Sequence, residues 1–285
     1  MEPIRLIAMD MDGTLLTSSP RTIPPENIEA LRLAAEHGVH LAIASGRLPD
    51  DAGFFAIDAD LPMHIIALNG STVMERPLGD IQESHYIDDA TSLHILHRLE
   101  ESGVCYSLFS DHDVIHCHGD SDEVVPLLGT HLLREGSRTR LERDPSFAFA
   151  RHDRASKYVV ICRDQPERLE VLRKDLEAEA PLAEITSSWI DNIEINPVGI
   201  NKGSALRSLA ASLGIPMSQV MAIGDNDNDI SMLRAAGYGV AMGNATPAAR
   251  EAANWLTLPY TEFGVAAVVR ALVLGEDVPG VQPLK

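Results

Sequence analysis

The first acidic pair of the chain directly follows an apolar run. Residues 4–9 are hydrophobic in character, Asp10 and Asp12 come immediately after them, and Gly13 allows a tight turn. The pattern predicts a buried strand with two carboxylates at its carboxyl end, where open α/β sheets bind their ligands. Two carboxylates this close repel one another, so a divalent cation between them is favourable. One carboxylate is then free to attack an electrophile such as phosphorus, while the other transfers a proton.

A second hydrophobic run ends in a short polar sequence. Residues 39–44 predict another buried strand, and Ser45, Gly46 and Arg47 follow it. A serine hydroxyl and a glycine amide just beyond a strand form a small concavity that can receive phosphate oxygens. Taken alone, the same three residues also suit an ordinary junction between a strand and a helix, so their role depends on what lies beside them.

Two segments in the last third of the chain supply a lysine and an acidic loop. Lys202 begins a predicted helix, where the helix dipole disfavours a cation, so we expect an anionic group to hold it. Residues 220–223 predict a strand, and the loop after it contains three aspartates and two asparagines: Asp225, Asn226, Asp227, Asn228 and Asp229. Hard oxygen ligands at this density favour Mg²⁺ over softer metals.

The order of these segments resembles the haloacid dehalogenase superfamily of phosphotransferases. The resemblance rests on residues 10–15 (DMDGTL), 45–47 (SGR), 201–203 (NKG) and 224–229 (GDNDND), three of them placed after predicted strands. It extends from the first strand to about residue 245. The long segment between the second and third motifs is similar in placement to the large α/β cap of the branch called Cof-type.

The resemblance implies a role for each matching residue. Asp10 would be the nucleophile that becomes an aspartyl-phosphate, and Asp12 would be the general acid and base. Ser45 and the amide of Gly46 would bind the phosphate, and Lys202 would balance its charge.

A Mg²⁺ site and further substrate contacts are also implied. The metal set comprises four aspartates: Asp10, Asp12, Asp225 and Asp229. Asp12 would contribute its main-chain carbonyl, and Asp229 would support the metal-binding loop. Asn228 and Met11 would contact the phosphate or the substrate. The pair at residues 69–70 (NG), after a predicted strand, is similar to the family's substrate-facing loop, although Asn-Gly is also a common turn.

Composition limits the classes of partner. The chain has 285 residues, of which 45% are hydrophobic, so it can bury a large core and form two domains. Its net charge of -19 argues against nucleic acid and anionic membranes as partners. The same charge opposes the approach of an anionic substrate, so Mg²⁺ and Lys202 would have to reverse the sign locally.

Cysteine usage and hydropathy bear on the compartment. Cys105, Cys117 and Cys162 are odd in number and lack a metal-type spacing, which is typical of free thiols in a reducing compartment. No apolar run is long enough to span a bilayer, and the first strand begins almost at the amino terminus. We therefore expect a cytoplasmic protein without a signal peptide, either a monomer or a weak homo-oligomer.

Alternating strands and helices predict an α/β fold with a Rossmann-like parallel-sheet core and an inserted α+β cap domain. Residues 1–83 form the first part of the core and residues 191–274 the second. The cap occupies residues 84–190, and an alternating sequence at 185–195 predicts a return strand. Residues 275–285, which contain prolines and glycines, are expected to be a poorly ordered tail.

These observations predict a Mg²⁺-dependent phosphate monoester hydrolase that acts on a small phosphorylated metabolite such as a sugar phosphate. A phosphomutase remains an alternative, although the sequence has no obvious second basic cluster to rebind a bisphosphate intermediate. A regulatory protein that binds sugar phosphates without turnover is another, although it would not need every acidic group present. Asp12 disfavours a dehalogenase, because a second carboxylate is a phosphotransfer feature within the superfamily.

One further cluster lies within the insert. Residues 111–113 (DHD) precede a predicted strand that carries His116, Cys117 and His118. Such side chains can bind a transition metal, but alternation along the strand places Cys117 on the opposite face from the two histidines. We therefore interpret them as surface or substrate-facing residues.

Overall fold

A computed structural model describes residues 2–18, 21–110, 114–118, 134–142, 154–162, 166–179, 183–186 and 192–284. The chain divides into two compact units. Met1–Gln82 and Asn201–Lys285 form the core unit, and Glu83–Ile200 form the insert unit. The predicted fold class, a parallel-sheet core with an inserted α+β unit, is confirmed.

The core unit is built on a nine-stranded sheet. Numbered along the chain and given in spatial order, its strands are β15 (Gln282–Pro283), β14 (Trp255–Leu256), β13 (Tyr238–Ala241), β12 (Val220–Gly224), β1 (Leu6–Met9), β2 (His40–Ala44), β3 (Met63–Ala67), β4 (Thr72–Met74) and β5 (Ile81–Ser84). The strands from β14 to β3 are parallel, whereas β15 and β4 pair antiparallel with their neighbours. All four residues of β1 are buried, because a central parallel strand is covered on both faces.

Helices connect the parallel strands of the core. They are α1 (Pro25–Glu36), α2 (Pro49–Asp58), α5 (Lys202–Ser212), α6 (Ile230–Ala235), α7 (Pro247–Ala252) and α8 (Gly264–Leu272). The helix α1 begins at a proline, whose fixed φ suits the first helical position, and buries Ala30, Leu31 and Ala34. Because the strands are parallel, their carboxyl ends lie along one edge of the sheet.

The insert unit is an antiparallel sheet with helices on one face. Its strands, in spatial order, are β10 (Ala183–Thr186), β11 (Asn192–Pro197), β9 (Ala155–Ile161), β6 (Cys105–Ser110), β7 (Val114–His118) and β8 (Arg140–Glu142), and only β7 and β8 are parallel. The helices are α3 (Asp89–Ser102) and α4 (Pro166–Glu179). Their buried leucines share one apolar cluster with Tyr106, Tyr158 and Ile195. These three lie on the same face, because Tyr158 is paired with Ile195 on one side and with Leu108, two residues from Tyr106, on the other.

Two parts of the sequence interpretation differ from the structure. The strand β11 pairs with β9 and β10 and buries Ile193 and Ile195 in the insert's apolar cluster, so this unit extends to Ile200 and not to residue 190. At the other end, the expected poorly ordered tail at 275–285 contains β15, whose pairing gives the edge of β14 a partner.

The histidine and cysteine cluster of the insert divides between described and undescribed residues. Residues 111–113 lie outside the described residues. His116 and Cys117 are buried, and the ring of His118 stacks on Tyr106 with centroids 5.0 Å apart. In the described part of the chain, the group of side chains arranged to hold a metal lies in the core unit and not here. The three cysteines are free thiols.

Candidate active site

The candidate site lies at the carboxyl edge of the core sheet. Asp10 follows β1, Ser45 follows β2 and Asp225 follows β12, and these three strands are neighbours in the sheet. Lys202 is the first residue of α5, and Asp229 precedes α6. The structure therefore brings together residues from four separate parts of the chain.

Lys202 is the buried centre of the charged cluster. Its Nζ atom donates hydrogen bonds to Oδ1 of Asp10 (2.5 Å) and Oδ1 of Asp229 (2.7 Å), and the lysine side chain is fully buried. The helix begins here because Asn201 caps it reciprocally with Ser204. Burial alone would lower the pKa of Lys202, but the two carboxylates outweigh it and raise that pKa. The anionic partner expected for this lysine is thus Asp10 together with Asp229.

The turn Met11–Leu15 brings the backbone against the acidic loop. Gly13 has φ +85° and lies so close to the carboxylate of Asp225 that a Cβ atom would overlap it. Thr14 Oγ1 donates to Oδ1 of Asp225 (2.7 Å), and Nδ2 of Asn244 donates to the carbonyl of Gly13 (2.9 Å). The Asp-Gly turn thus fixes the carboxylate of Asp225 beside that of Asp10. Asn244 joins this site without a motif that could have identified it.

Asp229 supports the loop through both of its oxygens. Oδ1 accepts from Lys202, and Oδ2 accepts from the main-chain amides of Asp225 (2.9 Å) and Asn226 (3.0 Å). These contacts fit the predicted role of supporting the metal-binding loop. Asp229 also belongs to the group of side chains whose ligand atoms could hold a metal, and its direct ligation stays a prediction.

Carboxylates outnumber positively charged side chains around Lys202. Ligand atoms of Asp10, Asp225 and Asp229 all lie within 4.8 Å of one another. Burial, together with the Asp229 carboxylate, raises the pKa of Asp225 to about 7. Burial also raises the pKa of Asp10, against the opposing effect of Lys202. A hard divalent cation would offset this negative charge, and the all-oxygen donor set fits Mg²⁺. The Asp12 carboxylate is not in this group, so Asp12 could join through its carbonyl only.

Asp12 is held by arginine. Nε and Nη2 of Arg47 donate to its two oxygens at 2.7 and 2.8 Å, and Nη1 of Arg47 donates to Oδ2 of Asp51 at 2.5 Å. Burial would raise the pKa of Asp12, but the Arg47 guanidinium outweighs it and lowers that pKa. Sequence analysis assigned no role to Arg47 or Asp51. The only feature in the sequence that could have pointed to Arg47 is its place as the last residue of the short polar sequence at 45–47.

The predicted phosphate-binding residues surround a turn after β3. Ser45 is buried; its hydroxyl accepts from the Arg47 amide (3.2 Å), and its carbonyl accepts from the Asn69 amide (3.0 Å). Nδ2 of Asn228 lies 3.5 Å from Oδ1 of Asn69. The structure therefore places the pair at 69–70 beside Ser45 and Asn228. Gly46 lies between Ser45 and Arg47 in the same loop.

Met11 differs from the other predicted contacts. Its side chain is fully buried in the hydrophobic core of this unit. Its carbonyl accepts a hydrogen bond from the Leu16 amide (2.9 Å), which closes the turn. Any contact between Met11 and a phosphate would therefore have to come from its backbone amide.

Comparison with known proteins identifies the family. A family described as haloacid dehalogenase-like hydrolase matches residues 7–269. The 5-amino-6-(5-phospho-D-ribitylamino)uracil phosphatase YcsE of Bacillus subtilis is 32% identical over 95% of this chain and 96% of its own. The pyridoxal phosphate phosphatase YbhA of Escherichia coli is 32% identical over 93% of this chain and 97% of its own.

A solved structure supports the same assignment. A haloacid dehalogenase-like hydrolase from B. subtilis superposes with a TM-score of 0.83 at 28% identity, over 94% of this chain and all of the other. Across the described residues, no helix combines the length and apolar character needed to cross a membrane. The resemblance seen in the sequence motifs is confirmed: the chain belongs to the haloacid dehalogenase-like hydrolase family and is an enzyme of its phosphatase group.

Proposed function

We propose that this protein hydrolyses a phosphate monoester of a small metabolite through an aspartyl-phosphate formed on Asp10, with Mg²⁺ as cofactor. The observation that supports this most strongly is the setting of Asp10. Its carboxylate is buried, bonded at Oδ1 to Lys202 and beside Asp225, while Asp12 follows two residues later. A nucleophile, a cation and a second carboxylate for proton transfer thus meet in one unit of the chain.

The proposed reaction has two steps. An Asp10 oxygen attacks phosphorus, and the departing alcohol receives a proton from Asp12. A water molecule then gives a proton to Asp12 and attacks the aspartyl-phosphate, which releases inorganic phosphate and restores Asp10. Lys202, Ser45 and Asn228 would stabilise charge on the phosphoryl oxygens. Mg²⁺, held by Asp10, Asp225 and the Asp12 carbonyl, would add electrostatic stabilisation of the same oxygens.

Arg47 affects the two steps differently. It lowers the pKa of Asp12 and so favours the ionised carboxylate, which is the form that deprotonates water in the second step. The first step needs the protonated form, so Arg47 opposes this step through the pKa of Asp12 and could assist it only by orienting the carboxyl group.

The relatives indicate the class of substrate. YcsE is named for a phosphorylated ribitylaminouracil and YbhA for pyridoxal phosphate, which are both small phosphorylated metabolites. We propose the same class for this chain. A preference for sugar phosphates, a cytoplasmic location and a monomeric or weakly associated state stay predictions.

The test is phosphate release from a panel of phosphorylated metabolites, with Mg²⁺ and with a chelator. We expect Mg²⁺-dependent release by the wild type, and a loss of at least about 10³-fold in Asp10→Asn, which lacks the nucleophile. Asp12→Ala should be similarly impaired and should accumulate phosphoenzyme, detected by mass. Asp227→Asn is the matched control, because this exposed aspartate of the same loop bonds Thr246.

Each other outcome has a definite meaning. Undiminished turnover by Asp10→Asn would remove it as the nucleophile. Conversion of a hexose 1-phosphate to the 6-phosphate, without free phosphate, would identify a phosphomutase. Binding without turnover of any ester would identify a regulatory protein.

A further inference from the structure

The Arg47 guanidinium lies between two carboxylates that belong to different elements. It binds both oxygens of Asp12 on one edge and Oδ2 of Asp51 on the other. Its Cζ atom lies over the Phe55 ring, 5.5 Å from the ring centre. The Arg47 side chain is 9% exposed and that of Asp51 is 1% exposed. Arg47 is therefore held by a carboxylate on each of two edges and lies beside an aromatic ring.

Asp51 belongs to the first turn of α2 and is the partner of Arg47 four residues earlier in the chain. The amino terminus of a helix is a favourable position for a carboxylate. Even so, a buried ion pair contributes little net stability once desolvation is counted. The burial of the Asp51–Arg47 pair is thus better explained by the contact of Arg47 with Asp12 than by a contribution to folding stability.

Arg47 holds a carboxylate that is less buried than itself. The Asp12 side chain is 30% exposed, and a side chain this accessible can adopt several rotamers unless a partner restrains it. Two parallel N–H···O bonds fix both the position and the plane of a carboxylate, which a lysine cannot do. Arg21 adds a weaker contact, with Nη1 3.8 Å from Oδ1 of Asp12.

We propose that Arg47 is a positioning residue that orients the Asp12 carboxyl group for proton transfer, and that Asp51 holds the Arg47 side chain in the conformation this requires. This inference rests on the proposed function, in which Asp12 gives and receives the proton. It adds a chain of three side chains, Asp51–Arg47–Asp12, to the residues that the family motifs supply.

The test compares two esters that differ in their need for a proton. An alkyl phosphate releases an alkoxide, which is a poor leaving group and needs a proton from a general acid. In contrast, p-nitrophenyl phosphate releases a phenolate that is stable without one. We expect Arg47→Ala to lower kcat/KM, which reports on the first step and not on hydrolysis of the common phosphoenzyme, by about 10²-fold or more on the alkyl ester and by clearly less on the aryl ester. Arg47→Lys should resemble Arg47→Ala, because lysine keeps the positive charge but cannot donate two parallel hydrogen bonds to one carboxylate.

Two further variants separate positioning from folding. Asp51→Asn should lower kcat on the alkyl ester by about 10- to 100-fold with little change in KM, because a misplaced Arg47 misplaces Asp12. Asp50→Asn, which removes the neighbouring buried carboxylate in the same helical turn, is the control for loss of helix stability. Guanidinium, added well below denaturing concentration, should restore part of the Arg47→Ala activity on the alkyl ester. A residue that acted only on the fold would not be rescued in this way.

The outcomes are distinct from those of the parent proposal. If the wild type releases no phosphate, the proposed function fails. If the wild type is active but Arg47→Ala loses the same factor in kcat/KM on both esters, and guanidinium does not restore it, the positioning role is overturned. Normal kcat on the alkyl ester for Asp51→Asn would show that Asp51 does not hold Arg47 in this conformation. Should Arg47→Ala fail to fold, Asp51→Asn and Arg47→Lys still decide the question.

Discussion

Both units of the chain bury a lysine against carboxylates, but the charge balance differs between them. In the core unit, Lys202 lies beside three aspartates. In the insert unit, Lys157 on β9 pairs with Glu194 on the adjacent β11, with 3.2 Å between Nζ and Oε1. Lys157 is 1% exposed and Glu194 is 6% exposed, so burial is nearly the same in the two units.

The difference in balance indicates a difference in role. The Lys157–Glu194 contact joins one positive to one negative group, and a buried pair of this kind can in principle be replaced by apolar side chains of similar size. The core cluster keeps an excess of negative charge, which raises the pKa of Asp10 and Asp225. Such an arrangement is unfavourable for folding, and the proposed Mg²⁺ would offset its negative charge.

Removing the core lysine should have the largest effect. In Lys202→Met, the buried carboxylates lose their cation, so we expect kcat to fall by about 10³-fold. The metal-free protein should also lose about 3–5 kcal/mol of stability, because a buried pair is broken on one side. Phosphate release and chemical denaturation measure the two effects. Lys174→Met, at an exposed position on α4, is the control. Near-normal kcat in Lys202→Met would show that the core cluster is not the reaction site.

The insert pair should affect stability alone. Lys157→Met should cost about 3–5 kcal/mol, because it leaves Glu194 buried without this partner. The double variant with Glu194→Leu should recover most of that loss, and its kcat and KM should stay near the wild-type values. Denaturation curves and steady-state kinetics of the three proteins check this. A stable double variant with altered KM would show that the pair contacts substrate, and the contrast between the two units would disappear.

The core site was accessible from the sequence because of a topological rule. Parallel strands end at one edge, so polar residues that follow apolar runs converge there, as Asp10 and Asp225 do. That Lys202 has an anionic partner also followed from local physics, since a cation at a helix start is disfavoured, but the sequence did not identify Asp10 and Asp229 as that partner. These inferences required no knowledge of side-chain geometry.

The remainder depended on contacts that no local pattern encodes. Nothing at residue 47 in the sequence identifies Asp12 as its partner, because the folded chain and the side-chain rotamers bring Asp12, Arg47 and Asp51 together. Likewise, alternation predicted one return strand at 185–195, where the structure has the end of β10 and the beginning of β11, which pair antiparallel. Pairing of β11 with β9 and β10, and the burial of Ile195, moved the boundary of the insert to Ile200.

Asp225 connects the charge excess of the core to pH. Burial and the carboxylate of Asp229 raise its pKa from 3.8 to about 7. Between these values the folded, metal-free protein holds a proton that the unfolded chain has released. Stability therefore falls as pH rises through this window, as far as this group is concerned. Bound Mg²⁺ competes with that proton, so its stabilising effect should grow as pH increases toward and above 7.

Thermal unfolding at several values from about pH 5 to pH 8 measures this linkage. The gap in Tm between Mg²⁺ and chelator should widen with pH, by about 2–4 °C for each kcal/mol of binding free energy. In Asp225→Asn the gap should be small at every pH, and the metal-free variant should be more stable than the wild type near pH 8. Asp227→Asn should keep the wild-type behaviour, since its side chain lies outside the group of Asp10, Asp225 and Asp229. A gap in the wild type that did not change with pH would mean that Asp225 binds no metal in exchange for a proton, and the charge excess would then need another explanation.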